Sequence, residues 1–330
     1  MQRRTNTNKI PDNKVPGARS KSHAPEIKPK PRVLKVGDEI CTKQLRIQAL
    51  GDIRSCQDKC LKSILQNAEK QQMPKKLISK GDWLCSHKEK DQTFDIYQKP
   101  GVKNLVTPAR NKIYIFVIDK SILDEFAAKL QRYCEAFYTD MKIQIKKPES
   151  STFLQDKEVP SREGQVGQNQ YNANVILKKT LPLVPKDAYC MLTVTMEDLY
   201  PFDSWNYVFG WANYVSRTGV FSFGRYHPNF DRDYYGEEED EEEEEESPEE
   251  KKKAENELLE NACYVMVHEI GHMFGMTHCT FYEYLCPVCL RKLQSNMQFD
   301  VKRRFKEMHK ICQEFQFTEM AEYYEKQSQI

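Results

Sequence analysis

The chain of 330 residues has no apolar run long enough to form a membrane-spanning helix, so no membrane role is expected. It has little excess charge of either sign, with a formal net charge of +1, and only seven histidines and three tryptophans. A near-neutral balance weighs against a protein that works mainly by coating nucleic acid. The N-terminal stretch MQRRTNTNKIPDNK has no apolar core of a secretory signal, which points to an intracellular protein, cytoplasmic or nuclear. The eleven cysteines are odd in number and scattered, and without a signal they read as reduced thiols rather than a disulfide framework. Internal repeats are lacking too. What is present, 39% hydrophobic and 30% charged residues, fits a packed core with substantial solvated segments.

Composition divides the chain into four stretches. Residues 1–33, rich in Lys, Arg, Pro, Ser and Asn, read as a basic disordered tail, and 34–100 as a partly helical extension. Residues 101–315 read as the main domain, and 316–330 as a C-terminal tail. In the extension, DIRSCQDKCLKSILQNAEK predicts an amphipathic helix with Cys56 and Cys60 facing the core, and GDWLCSHKEK predicts a turn with a buried Trp83. KIYIFVID is apolar on both faces, as in a central strand, and precedes a helical stretch and the alternating MKIQIKK. Together these predict a β–α–β unit. A polar linker is expected over 147–170, then a helix in NANVILKKTLPLV and a buried strand in AYCMLTVTMEDLY. VFGWANYVSRTGVFSFGRY reads as two short strands around a turn at Arg217–Gly219. The insertion 236–253 contains ten consecutive acidic residues, Glu237–Glu246. It is expected to be a solvated loop, with guidance of basic substrates as the alternative.

Three of the seven histidines fall in HEIGHMFGMTHC, residues 268–279. Upstream, Leu258, Leu259, Ala262, Val265, Met266, Ile270 and Phe274 recur at helical spacing. On that helix His268 and His272 are four residues apart, so their rings share one face and can share one tetrahedral Zn²⁺. Gly275 suits the left-handed residue that ends a helix, after which His278 can return as a third ligand. A fourth position then stays open for water, with Glu269 beside it as general base. By composition, this full pattern arises by chance on the order of once in a hundred thousand such sequences.

H-E-x-x-H-x-x-G-x-x-H is the metzincin zinc motif, and with Cys279 directly after it and CPVC downstream the chain resembles an archaemetzincin, most like the animal members. The resemblance extends back through TMEDLYPFDSWNYVFGWANYVSRTGVFSFGRYHP and to GDWLCSH. It implies an α+β, zincin-like domain with a mixed sheet packed on an active-site helix. It also implies zinc-dependent aminopeptidase or peptidase activity on a peptide or protein substrate. Carried over, His268, His272 and His278 are the catalytic zinc ligands and Glu269 the general base. The family's second, structural zinc sits on four cysteines. Here Cys279, Cys286 and Cys289 match three of them, and Tyr284 stands at the remaining position. A fourth ligand would come from Cys312 or Cys263. The family's long connection is missing, as is the methionine that lies beneath the metal, for which Met297 is a candidate.

Three readings stay open. GVFSFGRY is either the edge strand above the cleft or an ordinary interior strand. The oxyanion partner is Tyr282 or Tyr226. The shortened cysteine segment gives the alternative function some motive: a zinc-binding, catalytically weak or inactive interaction protein.

Overall fold

The computed structural model describes residues 35–77, 90–149, 153–165, 167–228, 230, 247–283 and 285–330. The basic tail 1–33, the Trp83 turn, the acidic run Glu237–Glu246 and Tyr284 all lie outside the described residues.

A five-stranded mixed sheet organises the molecule, in the order β2-β1-β5-β8-β7. The strands are β1 (Lys112–Val117), β2 (Lys142–Lys146), β5 (Ala188–Thr195), β7 (Gly210–Asn213) and β8 (Thr218–Ser222). β1, β2, β5 and β8 run parallel, and β7 pairs antiparallel with β8. A second sheet joins β3 (Ser161–Glu163), β4 (Asn169–Asn172) and β6 (Asp198–Tyr200). The helices are α1 (Lys43–Ala49), α2 (Lys59–Gln71), α3 (Phe94–Tyr97), α4 (Asp124–Phe137), α5 (Ala173–Thr180), α6 (Pro248–Met273), α7 (Pro287–Met297), α8 (Val301–Glu314) and α9 (Thr318–Ser328).

Strand alternation distributes β1 between two cores. Ile113, Ile115 and Val117 join one buried cluster with residues of α4 and α6, while Tyr114 and Phe116 join another with Ile176 of α5 and Phe153. Both faces being covered, β1 carries a continuous apolar run, as expected of a central parallel strand. Burying each such Ile or Val contributes about 1.5–3 kcal/mol. The predicted β–α–β unit is β1–α4–β2.

Several expectations need correction. The stretch 147–170 is no plain linker, because β3 and the start of β4 lie in it; strands this short and polar (SRE, NQYN) leave no apolar period to read. GVFSFGRY supplies β8, buried along its whole length between β5 and β7, so among the described residues the edge on this side of the sheet is β7, opposite β2 at the other. Cys56 precedes helix α2, which begins at Lys59 behind the N-cap Asp58; it is buried nonetheless, and Cys60 packs beside the same cluster. The end of the predicted insertion, from Pro248, is already helix α6, started by a capping box between Ser247 and Glu250.

The boundaries at 100 and 315 do not coincide with gaps in packing. Leu61, Ile64 and Leu65 of α2 share one buried cluster with Met266 and Ile270 of α6 and Tyr324 of α9. Residues 316–330 are a docked helix rather than a tail, with Phe317, Ala321 and Tyr324 buried. Their apolar stripe is narrow and set among Glu, Lys and Gln, which hides it in the sequence.

Candidate metal centre and active site

Helix α6 fixes two histidines. Leu258, Leu259, Ala262, Met266, Ile270 and Met273 bury one side of it, and Tyr138 donates its hydroxyl to the Val267 carbonyl. His268 and His272 then stand on the open side, their Nε2 atoms 3.2 Å apart. The His272 Nδ1 lies 2.7 Å from the Met276 carbonyl, so in the tautomer that donates there its Nε2 is free to ligate. The helix stops at Phe274, and Gly275 turns the chain with φ +85°. A Cβ on Gly275 would lie 2.2 Å from the Val102 carbonyl oxygen, so no other residue fits this return. The turn brings His278 back, with its ring centroid 4.6 Å from that of His272 and 5.4 Å from that of His268. One ligand atom from each of the three lies within 4.8 Å of the others, close enough to converge on one ion.

Electrostatics favour ligation. Desolvation in the cleft, then the neighbouring imidazoles, push His268 down to about 3, although part of its surface stays open to solvent. The ring is therefore neutral, the form that binds metal. Burial raises the carboxyl of Glu269, with the nearby His272 opposing. Tyr226 is raised by burial and then by the charge of Glu269, so its phenol lies within that carboxylate's field. The Gly224–Tyr226 turn is anchored by Arg225, which donates to both oxygens of the buried Asp198 at 2.8 and 2.7 Å and stacks 3.5 Å over the Tyr207 ring. Tyr282, the other oxyanion candidate, is committed elsewhere: it is 1% exposed and donates to Glu69 at 2.7 Å.

The cysteines assemble as a second cluster. Cys279, Cys286 and Cys289 also bring their sulfurs within 4.8 Å of one another. Hydrogen bonds from Cys286 and Cys289 lower Cys279 well below the usual thiol range, while burial raises Cys286 and the Cys279 sulfur raises Cys289 to about 12. The three sulfurs thus act on one another directly, as groups gathered at a single point do. Among the described residues no further His, Cys, Asp or Glu joins it. Cys263 and Cys312 do not complete it: both are buried, and Cys263 neighbours Cys134 and Cys312 instead.

A cavity of about 400 Å³ touches both clusters and continues between Tyr138, Tyr264, Leu293 and Tyr324. Met276 lines it beside the histidines, whereas Met297 packs at the end of α7 away from this lining. Sequence reasoning missed Met276 because it lies inside the motif, in the helix-to-loop turn.

No protein-family model matches the chain. Rat Archaemetzincin-2 is 31% identical over 271 residues, covering 72% of this chain and 74% of its own length. The mouse protein of the same name is 32% identical over 263 residues, covering 70% and 72%. The chain belongs to the archaemetzincin family. A crystal structure of the archaemetzincin from Methanopyrus kandleri is 22% identical and covers 59% of this chain and all of its own, with a TM-score of 0.37. As an archaemetzincin, the chain keeps His268, Glu269, His272, Gly275 and His278 in one run, and the fold converges the three histidines.

Proposed function

We propose that this archaemetzincin is a zinc peptidase in which His268, His272 and His278 hold the catalytic ion and Glu269 is the general base. The observation that carries the reading is the convergence of three imidazoles within 4.8 Å beside a carboxyl raised by burial. A bound zinc ion would supply Lewis acidity and lower the pKa of water to about 7. Glu269, one residue from His268 and no ligand itself, takes the proton of the attacking water. Its raised proton affinity suits it to hold that proton and pass it to the leaving amine. Tyr226, within the field of Glu269 and held by the Arg225–Asp198 pair, is the better placed of the two tyrosines to donate to the developing oxyanion. The free edge of β7 suits an extended peptide, which can add to it through backbone hydrogen bonds. Cys279, Cys286 and Cys289 hold a second, structural zinc. The ten described thiols, all free, suit a reducing intracellular compartment.

The deciding experiment is cleavage of a peptide library by wild type and Glu269→Gln, each checked for equal zinc content. The expected result is cleavage by the wild type and loss in the variant. Equal cleavage by both would point to another protease in the preparation. No cleavage by the zinc-loaded wild type would leave the interaction-protein reading.

A further inference from the structure

His278 differs from the other two histidines in what holds it. His268 and His272 ride on a 26-residue helix, whereas His278 sits in a stretch of irregular backbone between α6 and α7. Irregular segments open with little free energy unless other elements tie them down. The ties come from residues 91–104, well before the motif in sequence. Gln92 is 7% exposed. Its Nε2 donates to the Gly275 carbonyl at 2.9 Å, and its Oε1 accepts from the Thr277 N–H at 3.3 Å. Asp91 accepts from the Thr280 hydroxyl at 2.7 Å. Fasteners therefore sit at 275, 277 and 280, on both sides of His278. Val102 and Lys103 pack so closely on Gly275 that a Cβ there would clash with backbone.

The same Gln92 oxygen accepts from the Lys292 ammonium at 3.0 Å. Lys292 is 2% exposed and lies one helical turn beyond Cys289 on α7, where its charge acts on that thiol. One amide thus joins the histidine loop to the cysteine-bearing helix, and both ends of the contact are buried. Removing it would leave a carbonyl, an N–H and an ammonium without this partner in a poorly hydrated place.

We propose that Gln92 is a positioning residue for the metal centre, holding the His278 loop in register with His268 and His272 and tying it through Lys292 to the helix that carries Cys289. The metal-binding part of this inference rests on the reading of the three histidines as ligands. Partners that orient ligands in this way typically change metal affinity 10–100-fold when removed.

The test uses the full chain. Gln92→Leu alone leaves the Lys292 ammonium unpaired, so Gln92→Leu/Lys292→Met removes both together. Gln92→Glu keeps an acceptor for Thr277 and Lys292 but loses the donor to Gly275. In the metal-free protein, hydrogen exchange at Thr277 and its neighbours should quicken by about tenfold or more in the double variant, while the core of α6 around Ala262 and Met266 keeps its protection. Zinc affinity at the histidines, read by chelator competition, should fall about 10–100-fold, with Gln92→Glu between it and wild type. Unchanged loop exchange overturns the proposal, as does equal acceleration of loop and α6 core. Where the wild type binds zinc, unchanged zinc affinity in the double variant overturns it as well. A wild type that binds no zinc at the histidines sinks the peptidase reading instead, and the exchange result then decides alone whether Gln92 holds the loop.

Discussion

His268 is exposed at the mouth of the cleft and His272 and His278 are half-buried, while Cys286 is buried and Cys279 and Cys289 are half-buried beside it. Both trios converge to within 4.8 Å and both line one cavity, yet their chemistry differs. The histidines offer three imidazole nitrogens with a carboxyl next to them and an open side. The cysteines offer three sulfurs set against the core, and no carboxylate joins them among the described residues. Catalytic zinc sites use three protein ligands and keep a position for water, whereas structural sites close with four. The histidine trio is therefore complete as it stands, and the cysteine trio is one ligand short among the described residues.

The sharpest way to break this contrast is to remove two histidines. His268→Ala/His272→Ala should lower bound zinc by one equivalent and reduce peptide turnover to background. If the double variant kept all its zinc, the metal would reside on the cysteines alone.

Glu269→Gln comes next. Zinc content and melting temperature should match wild type, and kcat should fall by about 10²–10⁴. A fall in zinc content would make Glu269 a ligand rather than a base.

Third, Cys286→Ser/Cys289→Ser should act on stability more than on chemistry. Each 1 kcal/mol shifts the midpoint of a domain of this size by about 2–4 °C, so losing a structural ion should lower the melting temperature by roughly 5 °C or more. A chelator titration of wild type should empty the cysteine cluster before the histidine site. Release in the opposite order would mean the cysteine cluster has found a fourth ligand.

The smallest effect is on pH dependence without metal. His268 has a folded pKa pushed down to about 3, below the unfolded value near 6.5, so the unfolded chain binds more protons between those limits. Its contribution is present above about pH 6.5 and is lost as pH falls toward 3. His268→Gln should flatten stability across that window in a chelator-treated sample. An unchanged slope would show that the His268 ring is as solvated as its partly open surface allows. Glu269 works with the opposite sign: its raised folded pKa makes its neutral form the better accommodated one, and that contribution is lost as pH rises through the folded value.

The convergence of the candidate site residues was legible in the sequence because an α-helix converts an i, i+4 spacing into one face, and a glycine converts the helix end into a return. His268, Glu269, His272 and His278 needed no distant information. β1, α4, β2 and β5 were legible for a similar reason, since their apolar periods are local. What only the tertiary structure decided depends on contacts between residues far apart in the chain. Which strand ends the sheet on the β8 side was settled by pairing, with β7 outside β8, and pairing leaves no mark in a five-residue apolar run. The Tyr282 hydroxyl is held by Glu69, and the path of the turn sets Met276, and not Met297, in the lining of the cavity beside the histidines. The hold on His278 through Gln92, and the docking of α9 as part of the core, likewise join positions that no local pattern connects.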